Sequence, residues 1–343
     1  MKLEFVPSKA VIYWLYLGIV LVLGMVVIGG MTRLTHSGLS MVHWTFTGSL
    51  PPTNDVAWQA EFEKYQQSPE FKELHTHFKL AEFKSIYWWE YIHRMFGRMI
   101  GLVFIFPFIF FLLKKKIPKS LLPHFFTILA LGAFQAFLGW YMVKSGLVDV
   151  PRVSHYRLAA HLSTAFIACS YILWVALRYR YFGEETRSVL SDRKNAIAIG
   201  LMVFTQIVWG AFVAGLKAGW VHNTWPLMDG NIISPAVTAM EPFLSNFIEG
   251  KSGVQFVHRT LGLIIVGFVS FVLYKAMKTE QRTKKSIVIV ASAIFIQFTL
   301  GVLTLLLEVP ISLGVIHQVM ALIVLLTVVN FYYQSTYRIE KHS

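Results

Sequence analysis

The chain has 343 residues, of which 55% are hydrophobic and only 14% are charged. A soluble globular domain carries about a quarter charged residues, so this composition excludes that class and indicates an integral membrane protein. The single cysteine, Cys169, excludes an internal disulfide and any metal site built from cysteines alone.

Eight apolar stretches have about the 20 residues that a bilayer core requires. They cover residues 11–32, 86–113, 121–143, 157–179, 195–216, 254–276, 286–307 and 312–334. The first is too long for a cleavable signal and has no small-residue cleavage site, so we expect it to remain as a span. An amphipathic part of the following loop, Trp58–Lys84, is expected to lie along the membrane interface.

Lys and Arg are distributed unevenly between the two sets of loops. The termini and the loops at 114–119, 178–194 and 275–285 carry 18, whereas the longer opposite loops carry 10. Because positively charged loops stay in the cytoplasm, both termini are predicted to be cytoplasmic, and the loops at 33–85 and 217–253 to face outward. This topology also accounts for the net charge of +13, so no nucleic-acid partner is expected.

The second half of the chain repeats the first. The matching pairs are Gly29 with Gly210, His93 with His258, Gln135 with Gln297, and His161 with His317. Four helices are duplicated, and because four is even, both halves begin on the same side of the membrane as a parallel repeat. We therefore predict an all-α membrane protein of two four-helix bundles, residues 1–180 and 181–343.

Four histidines lie inside the spans, near the predicted outer ends of the even-numbered helices: His93, His161, His258 and His317. Two such imidazoles per bundle suit bis-imidazole ligation of haem, and the adjacent Arg94 and Arg259 could pair with haem propionates. A single membrane histidine often only bonds a neighbouring helix, but four repeat-related positions favour ligation. Gly97 and Gly262, four residues after their histidines, would permit close helix packing, and because packing and haem access are compatible, these glycines decide little.

The remaining histidines carry weaker arguments. We interpret His36, His43 and His222, in the outer loops, as structural or substrate-adjacent residues. His155 is close enough to the fourth span to be an alternative ligand. The pair His75 and His77 is expected to be solvated.

One position breaks the symmetry between the halves. Three residues before its histidine the first half has Glu90, and the second has Gln255. A carboxylate can take a proton or stabilise a cation, and a carboxamide can do neither, so the first half is interpreted as a reaction site and the second as an electron-transfer site. The alternative is that Glu90 is only an ion-pair partner of Arg94, Arg98 or Arg33.

The motifs resemble those of the haem A synthase family, which converts haem O to haem A. They are GGMTRLTHSGLS (29–40), WWEYIHR (88–94), FQAFLG (134–139), YRLAAHL (156–162), FVHRTLG (256–262) and VIHQ (315–318). Each motif is short, but the ordered set on eight spans with an internal duplication is specific.

This resemblance implies a division of labour. His258 and His317 would ligate one permanent haem b, whereas His93 and His161 would hold the substrate haem O with Glu90 beside the reacting methyl group. The C8 methyl would be oxidised to a formyl group with oxygen from water, and electrons would leave through haem b. The implied partners are haem O synthase, the cytochrome oxidase assembly machinery and an unidentified electron acceptor.

Some members of the family carry a cysteine pair in an outer loop, and this chain does not, because Cys169 lies in the fourth span. The chain is therefore similar to the branch shared by proteobacteria and mitochondria. The lack of a long transit-like N-terminus favours a bacterial inner membrane, with the haem sites near the outer leaflet. Two other functions remain open: a dihaem electron-transfer subunit, and a transporter with a parallel repeat.

Overall fold

The structure is a computed structural model that describes residues 5–42, 48–146, 153–187, 192–278 and 282–339. Within these residues, eight helices are long and apolar enough to cross a membrane. They are α1 (Lys9–Leu34), α4 (Leu80–Leu113), α5 (Leu122–Gly146), α6 (His155–Arg180), α7 (Asp192–Gly215), α8 (Lys251–Met277), α9 (Lys284–Leu306) and α10 (Ile311–Thr336). The prediction of an all-α membrane protein with eight spans is confirmed.

Two short helices, α2 (Asp55–Gln66) and α3 (Pro69–Leu74), lie between α1 and α4. Each begins at a side chain that caps a backbone N–H group, Asn54 for α2 and Ser68 for α3. Three short 3-10 turns lie between α7 and α8: Ala218–Trp220, Pro235–Thr238 and Phe243–Phe247. In the described part of the chain, the strands β1 (Glu185–Arg187) and β2 (Tyr337–Ile339) form one antiparallel pair.

Two features of the segment before α4 go beyond what the sequence predicted. The helix begins six residues before the predicted span, where the Lys79 N–H donates to Glu82 Oε2 at 2.9 Å and caps the first turn. The extended helix offers an aromatic surface on which α2 packs. Trp58, Phe62 and Tyr65 are buried there. The expectation that their segment lies along the membrane interface stays a prediction.

Four helices form the centre of the bundle: α1, α6, α7 and α10. Helices α6 and α10 each pack against both α1 and α7, and they also contact each other. An apolar core that includes Phe166, Ile199 and Leu322 fills this centre. The other four helices, α4, α5, α8 and α9, pack around it.

The helix contacts follow the order of a parallel repeat. In the N-terminal half α4 packs on α1 and α5 on α6, and in the C-terminal half α8 packs on α7 and α9 on α10. The contact of α1 with α10 corresponds to that of α7 with α6. This arrangement is consistent with two four-helix bundles, and the boundary near residue 180 stays a prediction.

Candidate functional site

Each of the four span histidines lies against a glycine of a neighbouring helix. A methyl group added to that glycine would stand at the following distances: Gly29 to His93 Nε2 3.2 Å, Gly139 to His161 Cε1 3.5 Å, Gly210 to His258 Cε1 3.1 Å, and Gly301 to His317 Cε1 2.9 Å. Only the Gly139 distance is an ordinary van der Waals contact. At the other three positions the ring can keep its place only because the neighbouring residue is glycine.

The glycines that follow the histidines by four residues have other neighbours. A methyl group on Gly97 would stand 3.0 Å from Met25 Cε, and one on Gly262 would stand 3.4 Å from Gln206 Nε2. Both neighbours are side chains of the first helix of the half. These two glycines therefore allow close helix packing, which is compatible with ligand access as well.

The histidines form one pair in each half. His93 and His161 are close enough to interact electrostatically, and so are His258 and His317. All four side chains are half-buried. The Nδ1 atoms of His161, His258 and His317 are buried and have no hydrogen-bond partner in the described part of the chain.

A glutamine one turn before the glycine accompanies three of the four histidines. Its amide nitrogen contacts the histidine in each case: Gln135 to His161 O at 3.0 Å, Gln206 to His258 O at 3.0 Å, and Gln297 to His317 Nε2 at 3.4 Å. The site is thus built from a helical-hairpin unit, Gln-x-x-x-Gly on one helix and histidine on the next. The hairpin of α1 and α4 has Met25 in the position of the glutamine.

Glu90 is only 2% exposed and accepts three hydrogen bonds. Its Oε2 accepts from Ser40 Oγ at 2.7 Å and from the Met41 N–H at 2.8 Å, and its Oε1 accepts from Arg94. Because all three partners are donors, they match a carboxylate. The ion pair with Arg94, which the sequence left open as an alternative role, is present.

Gln255 occupies the repeat-related position and makes the opposite contacts. It is also 2% exposed, and its Nε2 donates to Ala218 O at 2.9 Å and to His222 O at 3.4 Å. Both side chains join their helix to the segment after the first helix of the half. The N-terminal site therefore surrounds its carboxylate with donors, whereas the C-terminal site surrounds its amide nitrogen with carbonyl groups.

The two arginines beside the histidines bind the same loop segments. Arg94 donates to Met41 O at 3.0 Å in addition to Glu90. Arg259 donates to the carbonyl oxygens of Thr224, Pro226 and Leu227 at 3.0 to 3.1 Å. Its other terminal nitrogen, NH1, is buried and has no hydrogen-bond partner among the described residues, so it could bind an anion.

A small, partly open cleft lies beside Arg94. Its lining residues are Met41, Gly48, Ser49, Tyr91, Arg94, Met95 and Arg98. Two arginines, a serine and a tyrosine in this wall suit an anionic, hydrogen-bonding group. This surface was not predicted, because Gly48 and Ser49 belong to a loop whose path the sequence does not reveal.

The other histidines play different parts. His222 is buried between Asp229 Oδ2 at 2.6 Å and Ser252 Oγ at 3.0 Å, and its hydrogen bond lowers the pKa of Asp229. His155 is buried 3.6 Å from Glu249. His36 keeps much of its side chain accessible, and partial desolvation followed by the charge of Lys217 lowers its pKa. His43 lies outside the described residues.

The expectation of solvated side chains holds for only one of the His75 and His77 pair. His77 is exposed, whereas His75 is half-buried, stacks on Phe78 and lies 2.7 Å from the Tyr65 hydroxyl. Its partner comes from α2, ten residues earlier, which the local sequence does not indicate.

Paired imidazoles fit a haem. Two imidazoles per half would hold a haem through its iron, whose other ligands belong to the haem itself. In the described residues, no group of three or more His, Cys, Asp or Glu side chains could hold a metal ion by itself. The unpartnered Nδ1 atoms and the half-buried rings fit such a group in the C-terminal half, where Arg259 NH1 is also unpartnered.

Fold and site together define a multi-pass membrane protein with a histidine pair in each of two related halves. A family model described as cytochrome oxidase assembly protein, COX15-CtaA, matches residues 12–329. The chain belongs to this family. The resemblance in the motifs is therefore confirmed over nearly the whole membrane-spanning region.

Relatives of known name are similar over almost the entire chain. The chain is 49% identical to the haem A synthase of Flavobacterium psychrophilum over 330 residues, which cover 93% of this chain and 96% of the relative. It is 42% identical to the haem A synthase of Nitrosospira multiformis, with 93% and 92% covered. It is 43% identical to that of Wolbachia pipientis, with 93% and 91% covered.

Proposed function

We propose that this protein acts as a haem A synthase, which oxidises the C8 methyl group of haem O to the formyl group of haem A with oxygen from water, for cytochrome oxidase biogenesis. The observation that carries this proposal is the exchange of Glu90 for Gln255 between two otherwise matching histidine sites. The names of relatives up to 49% identical support it. One site then reacts and the other transfers electrons.

The C-terminal half, residues 181–343, would hold one permanent haem b. His258 and His317 would be its axial ligands, and Arg259 would bind a propionate through its unpartnered NH1. When bound, this haem accepts and passes on single electrons. The close approach of Gly210 and Gly301 fixes both imidazole rings without a movable side chain between the helices.

The N-terminal half, residues 1–180, would bind haem O as the substrate. His93 and His161 would ligate its iron, and Arg94, which lines the cleft with Arg98, would face its propionates. Met25 replaces the glutamine that contacts the histidine in the other hairpin units. A thioether makes no strong hydrogen bond, so His93 is less constrained than the ligands of the permanent haem.

Glu90 would act on the methyl group. Conversion to hydroxymethyl would remove two electrons and one proton from this carbon, which would take its oxygen from water as that water loses a second proton. A carboxylate held by Ser40, Met41 and Arg94 is preorganised to stabilise the developing positive charge or to accept that proton. Gln255 has no charge and no comparable basicity, so the second half cannot do the same.

The proposed setting is a bacterial inner membrane with both termini in the cytoplasm and the haem sites near the outer leaflet. The distribution of Lys and Arg supports this orientation. Haem O synthase would supply the substrate, the cytochrome oxidase assembly machinery would receive the product, and a separate one-electron acceptor would take the electrons.

Extraction of the bound haems tests this proposal. We expect the purified protein to contain haem b together with haem O or its hydroxylated and formyl derivatives, identified by chromatography and mass spectrometry. A dihaem electron-transfer subunit would use the same four histidines but would yield haem b alone. A transporter would show no haem absorption at all. Either result would overturn the proposal.

A further inference from the structure

The first outer loop contains a hydrogen-bonded chain of three titratable side chains away from the histidine pairs. The Tyr65 hydroxyl, on α2, donates to Glu70 Oε2 on α3 at 3.1 Å and lies 2.7 Å from His75 Nδ1. Tyr65 is fully buried and Glu70 is only 5% exposed, whereas His75 is half-buried beside the exposed Thr76 and His77. The chain therefore leads from a buried carboxyl group to the edge of the loop.

The buried end of this chain lies within electrostatic range of Glu90 in the candidate reaction site. Glu70 interacts electrostatically with Glu90 and with Lys217, which belongs to the C-terminal half. At the other end, His75 interacts with His77 and Lys217, and His36 interacts with both Lys217 and His75. These are the charged and titratable groups that face the chain from α1, α4 and the loop after α7.

Burial raises the pKa of Glu70 to about 8, and the nearby Glu90 carboxylate adds to this rise against the opposing effects of Tyr65 and Lys217. Burial, followed by His77 and Lys217, lowers the pKa of His75. In water a glutamate has a pKa of about 4.3 and a histidine of about 6.5, so the environment moves the carboxyl group into the range where it exchanges protons near neutral pH.

The three groups can hold a proton in two arrangements, with Glu70 ionised and His75 protonated or with both groups neutral. When Glu70 is ionised, the Tyr65 hydroxyl donates to it and accepts from His75 Nδ1. When Glu70 is neutral, it can donate to the hydroxyl oxygen, and the hydroxyl then donates to His75 Nδ1. Reversal of both hydrogen bonds moves one proton along the chain without moving a heavy atom.

We propose that Glu70, Tyr65 and His75 form a proton-release relay from the reaction site of the N-terminal half to the outer aqueous face. This inference rests on the proposed function. Conversion of the methyl group to hydroxymethyl breaks one C–H and one O–H bond of water, forms one C–O bond, and releases two protons and two electrons. The electrons leave singly through the C-terminal half to a one-electron acceptor. The protons need a separate path, because Glu90 can hold only one and must lose it again.

Conservative variants distinguish a proton relay from hydrogen bonds that only hold α2 and α3 together. Glu70→Gln keeps an oxygen that accepts from Tyr65, so the packing of α3 should survive while proton exchange is lost. Tyr65→Phe removes the bridging hydroxyl and keeps the aromatic contacts with Phe71 and Phe83. Glu73→Gln is the matched control, because Glu73 lies on the same helix and is exposed.

The first measurement is the rate of haem O oxidation by the full-length, haem-loaded protein, with ferricyanide as the electron acceptor. Glu70 must be ionised to accept a proton, so the parental rate should rise with pH through about 8. Glu70→Gln should lose this rise and be at least about tenfold slower at the high-pH limit, within the range of a single proton-transfer group. Tyr65→Phe should be as slow as Glu70→Gln. The variant that carries both substitutions should be no slower than either one, because the two groups act in series and their effects do not add. Glu73→Gln should behave as the parent.

The second measurement is the infrared carboxyl band of the protein, which needs no turnover. A protonated carboxyl group that ionises near pH 8 should be present in the parent and absent from Glu70→Gln. The relay would be overturned if Glu70→Gln kept the parental rate and pH profile, or if the parent lacked that band. In either case, haem A formation by the parent would still uphold the proposed function. A parent that leaves haem O unchanged would overturn both.

Discussion

Arg94 donates a hydrogen bond to Glu90 one helical turn before it, and both side chains are almost completely buried. Removal of one partner from a buried ion pair typically costs about 3–5 kcal/mol, because the other charge is left without compensation. The pair does not exclude chemistry at Glu90. A guanidinium, a hydroxyl and a backbone N–H hold the carboxylate in one place, which is the arrangement that electrostatic catalysis requires.

Glu90→Gln should therefore stop methyl oxidation and keep the C-terminal haem. The amide retains an oxygen for part of the hydrogen-bond set but leaves the buried charge of Arg94 without compensation, so we expect a loss of about 3–5 kcal/mol in stability. Loss of the charge and basicity should slow haem A formation by about 10²- to 10⁴-fold. The measurement is the ratio of haem O and partly oxidised haem to haem A in extracts, with the absorption spectrum of haem b as an internal reference.

Glu63→Gln serves as the control, because Glu63 is an exposed carboxylate on α2. Haem A formation at the parental rate in Glu90→Gln would reduce Glu90 to an ion-pair partner of Arg94. Loss of haem b as well would make Glu90 a structural residue of the whole protein.

The C-terminal histidines should be the ligands of the permanent haem. His258→Ala and His317→Ala should each abolish the low-spin absorption spectrum of haem b while the protein still inserts into the membrane. The control is His124→Ala, since His124 bonds Tyr171 and lies on α5, outside both pairs. If both alanine variants keep a bis-histidine spectrum, the assignment of this half is wrong.

The part of the site that repeats could be predicted from the sequence. The pairs His93 with His258 and His161 with His317 recur at nearly constant offsets, and the structure places them on corresponding helices. The eight spans could be predicted for a similar reason, because the length of each apolar stretch is a local property that can be read from the sequence. Glu90 was found for the same reason, because a repeat makes a single difference visible.

Contacts between helices could not be predicted in this way. The sequence pairs Gly29 with Gly210 by offset, yet it does not reveal that each lies against a histidine of the next helix. That contact depends on how the helices are rotated and spaced, which many side chains decide together. The same holds for the partners of Glu90, because Ser40 and Met41 reach it from a segment about 50 residues earlier.

The orientation of the bundle is open to a direct test. Reporter fusions at Lys116 and Ser191 should report the cytoplasm, and fusions at Gln66 and Asn231 should report the opposite side. The reason is that the loops on the first side carry 18 Lys and Arg, against 10 on the second. Ser191 lies outside the described residues. A reversed pattern would place all four histidines near the cytoplasmic face and the proposed relay with them.

The glycines that face the histidines give a graded test of the haem b site. A methyl group on Gly301 would stand 2.9 Å from the His317 ring, and one on Gly210 would stand 3.1 Å from the His258 ring. A methyl group on Gly267, in the same half, would meet no atom within 4 Å. Alanine is intrinsically better than glycine in a helix by about 0.5–1 kcal/mol, whereas overpacking typically costs about 1–3 kcal/mol. We therefore expect Gly267→Ala to be neutral or slightly stabilising, and the two facing variants to be destabilised, Gly301→Ala most.

The ring must move or turn to admit the methyl group, so the low-spin haem b spectrum should weaken in the same order although both histidines remain. Absorption spectra and thermal unfolding of the three variants measure the two effects separately. Equal spectra in all three would show that the rings do not need the glycines to reach the haem iron.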